Sequence, residues 1–377
     1  MNPDVISAVL ERRKPGRIVY APNYWQWFAH HRNHENLPPE LAGCRNQLEM
    51  INRLGLDVFS RNIYCDEQRG WWGGLSDVVL DGLECGETER FEGRDRIIER
   101  RYGRLTEQLR YIFDESTLVQ RKFAVNDYAN QLDEMEALLR IRRWRFVPER
   151  FKEIQEKAGA GSVVVAGELY SPLKMLHVLL GPQDTTYFLM DYPDRAAALM
   201  AMHEAAQLDL VRQMCRAGVR VMMSMDNLDT AFHPPQYVEQ YSASFYEKAS
   251  RICHEHGSLL FIHACGRQRD NLRLIASLGV DGLEGVAFPP MGDVELDEAM
   301  QLSGEKLIIT GGISALEGEG LKTCDEVRRY VESLFKRLSP YLNRFMLSAS
   351  CNTSIRTPWE TIKWFRDAWL ELGRLVP

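Results

Sequence analysis

No run of about 18 apolar residues occurs in the chain, so no membrane-spanning helix is expected. The start lacks the pattern of a secretory signal. Met1 to Arg17 is polar and is expected to form a short helix, with Val5, Ala8, Val9 and Leu10 as its apolar stripe. Cysteine is sparse, eight in 377 residues, and forms no compact framework, which excludes a disulfide scaffold and points to a reducing cytoplasm. Cys44, Cys85, Cys215, Cys253 and Cys324 read as buried small hydrophobes. There is no excess of positive charge: the net charge of −7 argues against nucleic-acid binding, which needs clustered Lys and Arg. The Arg-rich stretch Arg140-Ile141-Arg142-Arg143-Trp144-Arg145 is interleaved with apolar residues and reads as a partly solvated helix face. No internal repeat, low-complexity tract or linker divides residues 1–377, so one domain is expected.

What is present is a core-forming α/β pattern, 45% hydrophobic and 26% charged. Short apolar runs lie near residues 17–22, 57–61, 162–168, 219–226, 259–265, 280–284, 306–312 and 345–350, separated by amphipathic stretches. Near-continuous apolar strands alternating with helices indicate a parallel sheet covered on both faces. Eight such strands predict a (β/α)₈ TIM barrel. An open doubly wound sheet is the alternative, but no Gly-rich nucleotide loop follows the first strand. Residues 75–127 alternate apolar and charged residues with several glycines, and predict an antiparallel hairpin or meander inserted in a βα loop.

In such a barrel, chemistry sits at the C-terminal ends of the strands. Those positions here are Asn23, Arg61, Glu168, Asp226, Asn227, His263, Cys265, Glu284, Ser314 and Cys351. His263 and Cys265 are two residues apart and so share one side of a strand. Cys351 ends the last strand, which a closed barrel brings back to the same mouth. Imidazole and thiolate together select zinc, and three protein ligands leave the open fourth position of a catalytic site. Glu284, ending the neighbouring strand, is the candidate for that fourth position. The competing reading is a buried histidine with two unrelated core cysteines. Thr357-Pro358-Trp359-Glu360 reads as N-cap, first-turn proline and capping-box glutamate, which places Cys351 in the loop before a helix.

These residues resemble the uroporphyrinogen decarboxylase superfamily over most of the chain beyond residue 160. The resemblance rests on Asp226-Asn227 with His233-Pro234-Pro235, on His263-Ala264-Cys265-Gly266, on Pro289-Pro290-Met291-Gly292-Asp293-Val294, on Gly311-Gly312-Ile313, and on Cys351 before Arg356-Thr357-Pro358. It implies one of two activities: metal-free porphyrinogen decarboxylation, or zinc- and corrinoid-dependent methyl transfer, whose hallmark is His-x-Cys plus a distant Cys. The decarboxylases carry substrate-gripping arginines near the N-terminus. Here that stretch is Asn23-Tyr24-Trp25-Gln26-Trp27-Phe28, so methyl transfer leads. The segment Ser350-Cys351-Asn352-Thr353 departs from the family in lacking glycines.

The resemblance implies zinc as a Lewis acid and a corrinoid (cobalamin) carried by a separate small protein, since the chain shows no corrinoid module of its own. Reduced cobalt would take the methyl group of a small-molecule donor, or a methyl-corrinoid would give it to a thiol or folate. Tyr24, Trp25, Trp27 and Phe28, with Trp71 and Trp72, are expected either to wall a flat pocket for a methoxylated aromatic ring or to pack the barrel mouth. The lead expectation is therefore the methyltransferase component of an aromatic O-demethylase. Asp226, Asn227, Glu168 and His233 are expected to orient substrate or handle protons, with a helix cap as the competing role for His233. A non-catalytic barrel subunit is a further alternative, and the oligomeric state, a homodimer included, is left open.

Overall fold

The structure, a computed structural model, describes residues 5–63 and 74–374. Cys65, Trp71 and Trp72 lie outside the described residues. The strands are β1 (Val19–Tyr20), β2 (Phe59–Ser60), β3 (Ser76–Val79), β4 (Cys85–Glu92), β5 (Asp95–Tyr102), β6 (Leu105–Ile112), β7 (Thr117–Lys122), β8 (Arg143–Phe146), β9 (Val163–Leu169), β10 (Val221–Ser224), β11 (Leu259–His263), β12 (Gly282–Val286), β13 (Ile308–Ile313) and β14 (Phe345–Ala349). Eight of them form one parallel sheet in the order β1-β14-β13-β12-β11-β10-β9-β2. They fall on the eight apolar runs of the sequence, and the fold is a (β/α)₈-type barrel.

The strands at the two ends of that order, β1 and β2, meet through one carboxylate. The Asp57 amide donates to the Tyr20 carbonyl at 3.0 Å. The Tyr20 amide donates back to Asp57 Oδ2 at 3.0 Å. Arg17 grips both Asp57 oxygens at 2.6 Å each, a bidentate pair. A short strand pair that leaves its backbone groups unsatisfied would be costly in a buried sheet, and the side chain completes it.

Period-two alternation sorts the strand residues into two shells. Val19, Phe59, Val163, Val165, Val221, Met223, Phe261, Ile308 and Met346 cluster together inside the sheet, joined by Val5, Ile6, Val9 and Leu10 of the helix Val5–Leu10. Their neighbours Tyr20, Val164, Met222, Leu260, Ile262, Leu283, Ile309 and Leu347 pack outward against the helices. Three helices between β9 and β10, Pro172–Leu180, Pro182–Asp191 and Pro193–Arg216, each begin on a proline, whose missing N–H costs nothing in a first turn.

The inserted segment is an antiparallel meander, β4-β5-β6-β7. A second apolar cluster joins it to the barrel: Leu105, Val125, Leu138 and Leu139 pack against Leu173, Leu176 and Leu180 of the helix Pro172–Leu180. Three expectations need correction. The arginine run is not one helix face. The helix Leu132–Ile141 ends first, and Arg143–Phe146 pair with β3, where Arg145 meets Asp77 at 2.9 Å. Cys85 and Cys324 are exposed, because one opens the outer strand β4 and the other begins the helix Cys324–Leu338. Thr357 does not cap the last helix, which runs Trp359–Leu372 with Pro358 before it; the Thr357 carbonyl instead accepts the indole N–H of Trp27 at 2.9 Å. No described helix is long and apolar enough to cross a membrane.

Asp57→Ala removes the seam's carboxylate and strands Arg17. We expect it to lower stability by about 3–5 kcal/mol in urea unfolding, and a loss under 1 kcal/mol would show that the seam does not depend on it.

Candidate metal centre

Phe261 points into the barrel, so His263, two residues on, shares that side, and Cys265 follows just past the strand end. In the parallel register, His263 lies directly opposite Glu284 of β12. Cys351 follows β14, two strands from β12. The ligand atoms of His263, Cys265 and Cys351 all lie within 4.8 Å of one another. Cys351 Sγ stands 3.6 Å from His263 Nε2. Tetrahedral zinc with bonds of about 2.3 Å to sulfur and about 2.0 Å to nitrogen spans an S···N edge of about 3.6 Å, so the group fits that ion.

Glu284 does not stand in the fourth position expected for it. One of its oxygens, Oε2, is hydrogen-bonded to His263 Nδ1 and accepts from Arg61 Nε at 3.1 Å, with both partners buried. Glu284 is not among the residues whose ligand atoms gather within 4.8 Å of one another, and its Oε2 is taken by the ring and the guanidinium. With Nε2 turned to the sulfurs, Nδ1 carries the proton and donates to the carboxylate, the pattern that fixes a ligand histidine's tautomer. Burial pushes the Glu284 carboxyl up, but Arg61 and His263 outweigh it and bring it down to about 2. Of the two thiols, Cys351 is drawn well below its ordinary range, first by a hydrogen bond from Cys265 and then, against burial, by His263 and Arg61.

Two glycines make room for this arrangement. Gly285 has φ 84°, and a Cβ there would lie 3.1 Å from both the His263 ring and the Ser350 carbonyl, so the imidazole and the Cys351 loop close over bare backbone. Gly266 has φ 97°, and a Cβ would come 2.0 Å from Asp229 Oδ2. That carboxylate instead accepts the Arg267 amide at 3.1 Å and sets the turn after Cys265. The glycine-poor Cys351 loop is held by side chains: Asn23 Nδ2 donates to the Cys351 carbonyl at 3.0 Å and to Asn352 Oδ1 at 2.7 Å, and Trp25 Nε1 donates to the same Asn352 oxygen at 2.9 Å.

The remaining expected site residues divide. Asp226 is fully buried and satisfied: it accepts from the Ser171 amide at 2.9 Å, the Ser224 hydroxyl at 2.8 Å and the Tyr246 hydroxyl. Glu168 accepts the amides of Gly74 and Leu75, at 3.1 and 2.7 Å, and the Ser76 hydroxyl, so it ties down the start of the insertion. Its burial raises the carboxyl's pKa despite those donors. Asn227 is exposed with φ 48°, a left-handed conformation that asparagine tolerates. Ser314 caps the helix Ala315–Gly320. His233 caps nothing: it is buried and edge-on to His177, with ring centroids 4.9 Å apart and Nδ1 unpartnered.

Among the aromatics, Tyr24, Trp27 and Phe28 are buried; Tyr24 lines a small cavity with Tyr20, Ile313, Thr353 and Phe365, and Trp27 and Phe28 do not. Trp27 stacks between His31 and Trp359, at 4.0 and 5.8 Å, and Tyr24 meets the Tyr20 hydroxyl at 3.1 Å. A helix starting at residue 25 turns these rings toward its own packing partners. Trp25 is the one that bonds to Asn352, next to Cys351. Sequence reasoning passed over the partner role of Arg61, the clasp made by Asn352, and the pair Lys174 and His177. The signal for the last was the Ser171-Pro172 helix start directly after β9.

The family model described as uroporphyrinogen decarboxylase (URO-D) matches residues 119–372. The chain belongs to the uroporphyrinogen decarboxylase family. Among solved structures, this URO-D family chain is similar to a methyltransferase from Methanosarcina mazei, with TM-score 0.60, 13% identity and 97% of each chain covered. A D-psicose 3-epimerase from Clostridium cellulolyticum H10 aligns at TM-score 0.37 and 11% identity, over 61% of this chain and 84% of that one. A search of curated protein sequences gives no match.

Replacing Glu284 by Gln removes the anion behind the ligand imidazole and is expected to weaken zinc binding about 10- to 100-fold in a chelator competition. Gly285→Ala is expected to weaken zinc binding too, with the circular dichroism spectrum unchanged; wild-type affinity would mean that ring and loop do not need the bare backbone.

Proposed function

We propose that this chain is a zinc-dependent methyltransferase that moves a methyl group between a small substrate and the cobalt of a corrinoid carried by a separate protein. The observation that carries the reading is the His263–Cys265–Cys351 group at one rim of the barrel, with Glu284 and Arg61 behind the imidazole. The metal-free decarboxylase alternative gives no reason for two thiols and an imidazole to converge there. The URO-D family membership and the fold shared with a methyltransferase are consistent with the proposal.

Zinc held there would supply Lewis-acid polarisation of the substrate's oxygen or sulfur. The chain's own residues do the rest. Glu284 holds the His263 tautomer, and Arg61 keeps Glu284 ionised. Two thiolates offset the charge of a divalent ion, so the site is close to neutral before substrate arrives. Asn23, Trp25 and Asn352 hold the Cys351 loop in place. A methoxylated aromatic is the donor we propose, and Trp25 is the ring we propose to meet it; the reaction would then be O-demethylation, with the phenolate leaving as the methyl group passes to cobalt.

The test is metal analysis of the purified protein, followed by spectroscopic detection of cobalt methylation with its reduced corrinoid partner against a panel of methoxybenzenes. We expect about one zinc per chain by the donor count, and methylation with at least one donor. No turnover of any methoxybenzene, with transfer to a thiol or a pterin instead, would overturn the demethylase reading. Cys351→Ala is expected to lose metal and activity together while keeping its melting temperature within a few degrees. Near-stoichiometric zinc in that variant would overturn the metal site itself.

A further inference from the structure

Beside the metal group lies a second polar cluster that the proposed reaction leaves unused. Lys174 occupies the first turn of the helix Pro172–Leu180, directly after β9, and His177 follows one turn later on the same face. Leu173, Leu176 and Leu180 of the same helix are packed under the insertion. His233, on the loop after β10, meets His177 edge-on, and its backbone carbonyl is fixed by Asn271 Nδ2 at 2.8 Å.

The Lys174 ammonium makes no hydrogen bond or ion pair among the described residues, and the residue is half-buried. Its helix opens directly after the C-terminal end of β9, on the rim where Cys265 follows β11, and Asp226 and Cys265 both favour its charged form. Asp226 does not neutralise it at contact distance, because Ser171, Ser224 and Tyr246 already occupy that carboxylate. Burial holds both imidazoles down to about 3, so His177 and His233 are neutral; burial also lowers the Lys174 pKa while Asp226 and Cys265 raise it, and an anion bound beside it would favour the ammonium form. His233 Nδ1 is buried without a partner. A half-buried ammonium and an unpartnered imidazole nitrogen are both costly unless something completes them.

From this placement we infer that Lys174, with His177 and His233, forms a carboxylate-binding subsite, so that the substrate presents an anionic group to Lys174 while its methyl-bearing oxygen faces the metal group. The inference rests on the methyltransferase reading for the identity of the substrate, not for the existence of the subsite. A bound carboxylate would take its charge-assisted hydrogen bond from the Lys174 ammonium. The two neutral imidazoles would supply further hydrogen bonds without adding charge.

The test compares 4-methoxybenzoate with its neutral counterpart 4-methoxybenzamide by calorimetry on the zinc-loaded full chain, in wild type, Lys174→Met and Lys174→Arg. We expect the wild type to bind the acid about ten- to a hundredfold more tightly than the amide, as for hydrogen bonds to a charged group. Lys174→Met should weaken only the acid and erase the preference, and Lys174→Arg should restore part of it. The Met variant should melt no lower than wild type, since it removes an unpaired, half-buried charge. Equal affinities in the wild type, no detectable acid binding, a preference that survives in Lys174→Met, or a large drop in its melting temperature would each overturn the subsite. Displacement of the acid by equimolar inorganic phosphate would overturn the carboxylate assignment in favour of a phosphate. Binding needs no corrinoid partner. Lys174-dependent acid binding without methyl transfer would therefore overturn the proposed reaction and leave the subsite standing.

Discussion

The contact between His263 and Glu284 joins the backbone of this barrel to its chemistry. Parallel strands place the two residues opposite each other, and period-two alternation turns both toward the interior. Once the carboxylate holds Nδ1, the imidazole has only one nitrogen to offer, and that nitrogen faces two sulfurs. Arg61 can be buried only because Glu284 is there, and Glu284 stays ionised only because Arg61 and His263 are. Gly285 and the Asn23–Asn352 clasp are the local adjustments that let the last strand close on this ring.

The division of labour among the acidic residues follows from the same geometry. Asp57, Glu168, Asp226 and Asp229 all sit at or near strand ends, and each is engaged by donors that shape backbone: a seam, an insertion, a helix start and a turn. Glu284 differs from these four in facing the candidate metal group. Carboxylates at the mouth of a barrel are therefore not interchangeable candidates; what their oxygens already accept decides what remains for chemistry.

Much of the fold was legible because buried parallel strands announce themselves as apolar runs, and all eight fell where those runs lie. The His-x-Cys pair was legible because spacing alone puts both residues on one side of a strand. What escaped the sequence depended on three-dimensional direction. Trp27 and Phe28 look like pocket walls in one dimension, but a helix beginning at residue 25 turns them inward. Glu284 reads as a ligand because it ends a neighbouring strand, but its oxygen is engaged by the His263 ring and Arg61, which one dimension does not reveal. Arg143–Phe146 carry charges at helix-like spacing, yet pairing with β3 overrides that local preference. Lys174 carried no pattern of its own, since an unpaired charge can be recognised only when its neighbours are known.

The helix Val5–Leu10 drives four apolar side chains among the lowest inward residues of the sheet, against Val163, Val221 and Phe261. It works as a stopper in the floor of the barrel. With that end filled among the described residues, the candidate metal group lies at the opposite rim. For the methyl transfer proposed above, a small substrate and a larger carrier would both have to come to that rim, taking turns or dividing it between them.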